Sequence, residues 1–312
     1  MSRLANVVVT GGAGFLGSHL VDALVARGHT VTVFDNLHRG RAANLRQHLA
    51  NGHLRFVHGD IRDSRQVAEA MAGADWVYHL AAQSNVMGAA QDVDYSFSTN
   101  VVGTFNILRA AAKAGTSRVV FSSSREAYGE AQYLPVDEKH PLQPKNPYGA
   151  SKVAAEMYCA TFQHVFGLPT VVLRFTNIYG PRDFDRVIPI WLERATAGQD
   201  LEVFGGDQVI DFLWVGTAVE ALLRAAEADV CGEPLNVGSG SGTPIGDLAA
   251  RILRLSGASS RVRVLAPRGV EVVQFVADVG QMKAKLGFEP PADPLCHLEE
   301  MVAAPACGAI AV

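Results

Sequence analysis

The sequence predicts an α/β fold of Rossmann type: a doubly wound parallel sheet with a smaller C-terminal α/β lobe. Three observations predict it. Over residues 1–180, short β-branched runs alternate with longer helical patterns. The first of those runs leads straight into a glycine-rich turn. Beyond about residue 180 the alternation becomes irregular. Strands that alternate with helices imply parallel pairing through right-handed crossovers.

In chain order, the expected strands are NVVVT (6–10), TVTVFD (30–35), LRFVHG (54–59), DWVYHL (75–80), RVVFSS (118–123) and TVVLRF (170–175). Helical patterns fill the gaps at 14–27, 64–72, 97–114 and 149–166. After that, the short strands LEVFG, PLNVGS and RVRVLA mix with helices at about 217–228 and 244–256. They read as a smaller lobe capping the sheet. Residues 1–180 are therefore expected to form a dinucleotide-binding domain, and 181–312 mainly the smaller lobe, interleaved with the first. No internal repeat is evident.

Composition narrows the function. With 27 Lys and Arg against 31 Asp and Glu, and no basic block, the chain lacks a nucleic-acid or anionic-membrane surface. No run reaches the ~18 apolar residues that cross a bilayer, and the N-terminus enters a strand pattern without a signal peptide. Cys159, Cys231, Cys296 and Cys307 form no C-x-x-C, so reduced thiols in a cytoplasmic protein are expected. The ten histidines form no metal-binding pattern, and no metal site is expected.

Ligands of such sheets bind beyond the carboxyl ends of the strands, so motifs there carry most weight. In VVVTGGAGFLGSHL, Gly11 or Gly12 combines with Gly14 and Gly17 into a glycine pattern that follows a strand and opens a helix. Missing Cβ atoms let backbone N–H groups approach a pyrophosphate. Asp35 ends the second strand 18 residues after Gly17. A carboxylate there accepts from a ribose diol and repels a 2′-phosphate, which favours NAD over NADP. Asp60, in HGDIRD, is placed to meet an adenine amino group or to cap a helix.

At the other end, Tyr148 and Lys152 stand four apart in PYGASK, on one face of a helix. A nearby ammonium and an oxidised nicotinamide ring are expected to lower the phenol pKa from about 10 toward a usable base. Ser124, at the end of the fifth strand, could hydrogen-bond the same substrate oxygen.

These segments, with HLAAQSNV, SSSREAYG and LRFTNIYGPR, resemble the extended short-chain dehydrogenase/reductase family, and within it the nucleotide-sugar epimerase/dehydratase branch. The resemblance covers roughly residues 5–290. It implies a bound NAD, a nucleotide-sugar substrate under the smaller lobe, and a homodimer through the helices near 97–114 and 149–166. It gives catalytic roles to Ser124, Tyr148 and Lys152. It lines the cofactor site with Gly11, Gly14, Phe15, Leu16, Gly17, Asp35, Asn36, Asp60, Ile61, Leu80, Ala81 and Ala82, and it turns Thr176 and Asn177 to the nicotinamide and the substrate. The shared first step is oxidation at sugar C4, with Tyr148 taking the hydroxyl proton.

The branches differ at Ser124-Arg125-Glu126. Dehydratases and decarboxylases carry Glu at the position of Glu126, and in dehydratases it is the C5 base. Arg125 replaces the residue that, as Asp, protonates the leaving hydroxyl, and an arginine cannot do so. Glu126 is thus either a base or the partner of Arg125. NPYGASKVAAEMY and NIYGPRD resemble the epimerases more, and Phe275 falls at the position that gates substrate size. The leading reading is a UDP-hexose 4-epimerase. A dehydratase or decarboxylase using Glu126 is the second, and a catalytically silent NAD(H)-binding sensor a third. In VIDFLWVGT, Ile210 replaces the family's diphosphate-binding arginine and Thr217 an aspartate. Arg268 matches a second phosphate arginine. Arg182 and Arg186 are further candidates, or surface ion pairs.

Overall fold

The computed structural model describes residues 4–303. The first half contributes β1 (Asn6–Thr10), β2 (Thr30–Asp35), β3 (Leu54–His58), β4 (Trp76–His79), β5 (Arg118–Ser124) and β6 (Thr170–Phe175). The second half contributes β7 (Asn177–Tyr179), β8 (Leu201–Phe204), β9 (Val209–Trp214), β10 (Pro234–Val237), β11 (Gly242–Pro244), β12 (Val262–Leu265) and β13 (Gln274–Phe275).

Seven strands form the main sheet in the order β10-β6-β5-β4-β1-β2-β3, every pair parallel. Helices cover both faces, so successive strand residues are buried alternately on the two sides. Val7 and Val9 pack on one side with Leu20, Leu24 and Leu222; Val8 packs on the other with Ile107, Leu108 and Cys159. This is why the strands read as unbroken apolar runs.

One strand differs from expectation. PLNVGS was expected in the smaller lobe, but Pro234–Val237 is the edge strand of the main sheet beside β6. The helix Val215–Glu227 buries Ala218, Ala221, Leu222 and Ala225 on a single stripe. Packing that stripe on the sheet carries the chain back to its edge, a long-range effect that the local pattern of 234–239 does not contain.

The helical pattern expected at 97–114 is longer and interrupted: Val93–Phe97, a π-helical turn at Ser98–Gly103, then Thr104–Ala114. In that turn Asn100 accepts from the Gln83 N–H (2.7 Å) and donates to Ser151 Oγ (2.9 Å). The helix Pro147–Phe166 starts two residues earlier than expected. Asn146 caps it, its Oδ1 accepting from the Gly149 N–H at 2.8 Å, and Pro147 occupies the first turn, where its missing N–H costs nothing.

The rest of the second half packs around Trp191, Phe212, Leu248, Ile252 and Leu298. Its strands pair as β11-β9-β13 with β7 on β9, and as β12-β8. The stretch Val209–Trp214, read from sequence only for its missing arginine, is the central strand β9. Asp211 on it is fully buried, and accepts from the N–H groups of Ser239 (2.8 Å), Gly240 (3.1 Å) and Ala277 (3.1 Å). Among the described residues no helix is long and apolar enough to cross a membrane. Cys159, Cys231 and Cys296 are free thiols; Cys307 and the apolar tail lie outside the described residues.

Behind the main sheet, Arg174 of β6 binds Glu156 through Nε (3.0 and 3.2 Å) and Nη2 (2.6 Å), and donates to the Tyr128 hydroxyl at 2.8 Å. Both side chains of the pair are almost completely buried. Removing one partner leaves a buried charge alone, so Glu156→Ala should cost about 3–5 kcal/mol in urea unfolding. Replacing both residues by apolar ones of similar volume should cost markedly less.

Candidate active site

A cavity of about 600 Å³ opens at the carboxyl ends of the main-sheet strands. Its centre is the switch point at which β1 is flanked by β2 on one side and β4 on the other. The glycine turn forms its floor. Gly11 has φ +72°, and a Cβ there would lie 2.7 Å from the Ala81 nitrogen; a Cβ on Gly17 would lie 2.1 Å from the Gly11 oxygen. Only glycine lets strand, turn and helix approach this closely. The helix Phe15–Ala26 carries no acidic residue in its first turn, so its positive end faces the cavity uncompensated.

Asp35 lines the cavity at the end of β2. Its carboxylate accepts from the Ala13 N–H (3.0 Å) and the Leu37 N–H (2.8 Å), while burial pushes its pKa up. Asn36, Ile61, Leu80, Ala81 and Ala82 line the same stretch, as do Gly14, Phe15 and Leu16. An open glycine cradle, a bare helix N-terminus and a strand-end carboxylate fit a dinucleotide. Asp60 stands apart, in a shallower depression that shares Asn36 and His38 with the cavity. Arg62 takes both of its oxygens (3.0 and 2.7 Å) and Asn36 donates at 3.1 Å; Arg62, more than any other neighbour, holds the carboxyl at about 2.

Ser124, Tyr148 and Lys152 meet where β5 and the capped helix converge on the cavity. The Ser124 Oγ accepts from the Glu126 N–H at 3.2 Å. Lys152 Nζ donates to the Ser122 carbonyl at 2.7 Å and lies 5.7 Å from the centre of the Tyr148 ring. The protein's own environment adds a contribution that the sequence expectation did not include. Burial pushes the Tyr148 phenol up to about 12, outweighing Arg186, which pulls it down. Burial also brings Lys152 down to about 8. Desolvation of both groups dominates their mutual effect, which sequence spacing could not reveal.

Glu126 lines the cavity, but both of its oxygens are engaged. Oε1 lies 3.0 Å from Arg125 Nη2, and Oε2 accepts from Asn146 Nδ2 at 2.7 Å. Arg125 also donates through Nε to Asn177 Oδ1 at 2.6 Å. Sequence reasoning missed Asn146, although Asn-Pro before a helical pattern is a legible cap. Thr176 is buried, its hydroxyl donating to Asp211 at 3.3 Å. Phe275 does not line the cavity: it is buried behind it, stacked on Tyr128 at 5.8 Å, with the Arg125 guanidinium 5.7 Å from its ring centre.

The far half of the cavity is lined by Arg186, Arg194, Phe204, Ile210 and Arg268. Arg186 pairs with Asp183 at 2.8 Å and lies over the Phe15 ring. Arg268 pairs with Glu271 at 3.2 Å and lies 3.6 Å from the Phe204 ring centre. Arg182 turns away from the cavity: at φ +69° it points back to Asp22, 2.7 Å away. Arg194 was missed, having no motif around it; it lies 3.1 Å from Glu202. Thr217, one turn into the helix Val215–Glu227, is outside the cavity lining. Among the described residues no group of three or more His, Cys, Asp or Glu side chains could hold a metal ion.

The buried lysine makes stability depend on pH. Its folded pKa, about 8, lies below its ordinary 10.5, so between those values the unfolded chain binds the extra proton and stability rises with pH. Tyr148 acts oppositely, but only above pH 10, where the unfolded phenol ionises first. The stability difference between wild type and Lys152→Met should therefore grow by about 2 kcal/mol in favour of the wild type from pH 8 to pH 10, measured by urea unfolding.

Comparison with known proteins agrees with this geometry. Residues 7–238 match the model of the NAD dependent epimerase/dehydratase family. A UDP-glucose 4-epimerase of Mycolicibacterium smegmatis is 34% identical over 91% of this chain and 93% of its own. The crystal structure of a UDP-glucose 4-epimerase from Thermotoga maritima, with UDP-glucose, superposes with a TM-score of 0.91 at 34% identity, covering 96% of this chain and 97% of that one. A dTDP-glucose 4,6-dehydratase of Streptomyces venezuelae, solved with NAD bound, superposes equally well at 0.91 and 32% identity, with 96% of each chain covered. An open glycine cradle, Asp35 and the Ser124–Tyr148–Lys152 cluster thus stand in a chain that belongs to the NAD dependent epimerase/dehydratase family of enzymes.

Proposed function

We propose that the protein is an NAD-dependent 4-epimerase of nucleotide sugars, of the UDP-hexose type, acting through a transient 4-keto sugar. The observation that carries this reading is the engagement of Glu126. A C5 base needs a free oxygen facing the sugar, and here Arg125 and Asn146 take one oxygen each. The arginine also stands where a dehydratase needs an acid. The chemistry that remains is the part requiring no third group: oxidation at C4 and its reversal on the other face.

Gly11, Gly14, Phe15, Leu16, Gly17, Asp35, Asn36 and Ala81 would hold the NAD, which supplies reversible hydride transfer. Tyr148 takes the C4 hydroxyl proton and later returns it. Its phenol pKa of about 12 without ligand makes it a poor base, so it needs positive charge beside it when it acts. Ser124, lining the cavity with Tyr148, would orient the hydroxyl, and Lys152 supplies the ammonium while bracing the end of β5. Arg186, Arg194 and Arg268 would face the nucleotide diphosphate in place of the arginine missing at Ile210. Asn177, just beyond the end of β6, would meet the substrate as well. A homodimer is part of the proposal. Phe97, Met157, Tyr158, Val165 and Phe166 are exposed on the two long helices, an apolar surface that a second copy would bury.

The first test is the product formed from UDP-, dTDP-, GDP- and CDP-hexoses and hexuronic acids in D2O. An epimerase yields a C4 stereoisomer of unchanged mass without deuterium. Loss of water with deuterium uptake would make Glu126 the C5 base and the protein a dehydratase; loss of CO2 would make it a decarboxylase. Tyr148→Phe should lower turnover by at least about 100-fold while leaving the fold and NAD binding intact. Glu126→Gln should keep most of the epimerase activity. For the dimer, Phe97→Glu with Met157→Glu should halve the mass seen by light scattering.

A further inference from the structure

We infer that Arg125 is a positioning residue: it fixes the Asn177 carboxamide with its NH2 group toward the cavity, and so makes that wall a hydrogen-bond donor to a substrate oxygen. The inference rests on the nucleotide-sugar reading above. A carboxamide is ambivalent, offering an acceptor at one end and a donor at the other, and what it presents depends on its neighbour. A guanidinium can only donate. With Arg125 Nε 2.6 Å from the Asn177 side chain, the oxygen must face Arg125. Asn177 lines the cavity, so the opposite end is the one available to a ligand.

Arg125 is itself held on three sides. Its Nη2 lies 3.0 Å from Glu126, and Glu126 is held from behind by Asn146 at 2.7 Å. Its guanidinium carbon lies 5.7 Å from the centre of the buried Phe275 ring, and Nη1 is buried without a hydrogen-bond partner among the described residues. Arg125 and Glu126 are only 12% and 7% exposed. A charge so far removed from water is held in one orientation by its partners rather than by solvent. Since Asn146 also caps the helix that carries Tyr148, a continuous hydrogen-bonded chain, Asn146–Glu126–Arg125–Asn177, joins that helix to the cavity wall just beyond the end of β6. An aspartate at position 125 would accept instead, turn the amide round, and present an acceptor to the substrate. The residue at 125 thus sets the polarity of the wall, which suits a phosphate or hydroxyl oxygen and disfavours a donor.

The test uses full-length protein with NAD bound, and whichever of UDP-, dTDP-, GDP- and CDP-glucose the wild type binds most tightly by calorimetry. Arg125→Met should weaken binding and raise KM roughly ten- to hundredfold, with kcat changed by less than about threefold. Asn177→Ala should do the same, and the double variant should be no worse than the weaker single one, because the two residues act as a unit. Arg125→Lys, which can reach Asn177 or Glu126 but not both in a fork, should recover part of the loss. Thermal melting separates this from unfolding; should Arg125→Met not fold, Arg125→Lys and Asn177→Ala decide the matter by the same KM-against-kcat split. Additive losses, a fall in kcat at unchanged KM, or a lysine variant no better than methionine would overturn the inference. Binding of none of the four would overturn the nucleotide-sugar reading and this inference with it. Product mass is read on the same samples: dehydrated or decarboxylated product removes the epimerase reading, while the coupling between Arg125 and Asn177 is still judged on binding.

Discussion

The carboxamide of Asn146 holds the reactive site together. Its oxygen caps the helix that carries Tyr148 and Lys152, and its nitrogen binds Glu126. One side chain therefore sets both the height of the tyrosine in the cavity and the engagement of the carboxylate beside it. Arg125 and Asn177 follow from that anchor, because Arg125 is placed by Glu126 and orients Asn177 in turn. The N-cap is local chemistry, and its consequence reaches the cavity wall beyond the end of β6, 31 residues on from Asn146 in the chain.

The electrostatic design follows a related rule. Arg39, Arg125, Arg186, Arg194 and Arg268 line the cavity, and each has a carboxylate within ion-pair distance: Asp185, Glu126, Asp183, Glu202 and Glu271. Such pairs hold long side chains in place at little net stability where they are exposed. For an anionic ligand they amount to cations set in position, with the ligand competing against a carboxylate for each. With Ile210 contributing only apolar surface, this set is where the proposed nucleotide sugar would meet cations for its diphosphate.

Burial sets the state of the reacting groups before any ligand arrives. Tyr148 is pushed toward the phenol, and Lys152 toward the amine. At pH 7 Lys152, at about 8, is still mainly an ammonium and Tyr148 a phenol, so in the proposed reaction further positive charge beside the phenol has to come with the ligand.

Much of this could be read in the sequence. The parallel sheet was legible because strands buried on both faces are unbroken β-branched runs, and the cofactor end because a cradle that admits no Cβ leaves a glycine pattern. Tyr148 and Lys152 were legible because four residues are one helical turn. The branch-point motif showed that Glu126 had two possible roles, but not which. The contact of Glu126 with Asn146, 20 residues away, and the contact of Arg125 with Asn177, 52 residues on, are visible only in the tertiary structure. The same limit explains β10, whose place beside β6 depends on the helix before it, as well as Arg182, which turns to Asp22 instead of the cavity, and Phe275, which packs behind the wall it was expected to line. Local spacing determined which groups exist and on which element each one sits. The tertiary structure alone decided which of them are desolvated and which are already bound to one another, because burial and pairing depend on contacts between segments that the local pattern does not encode.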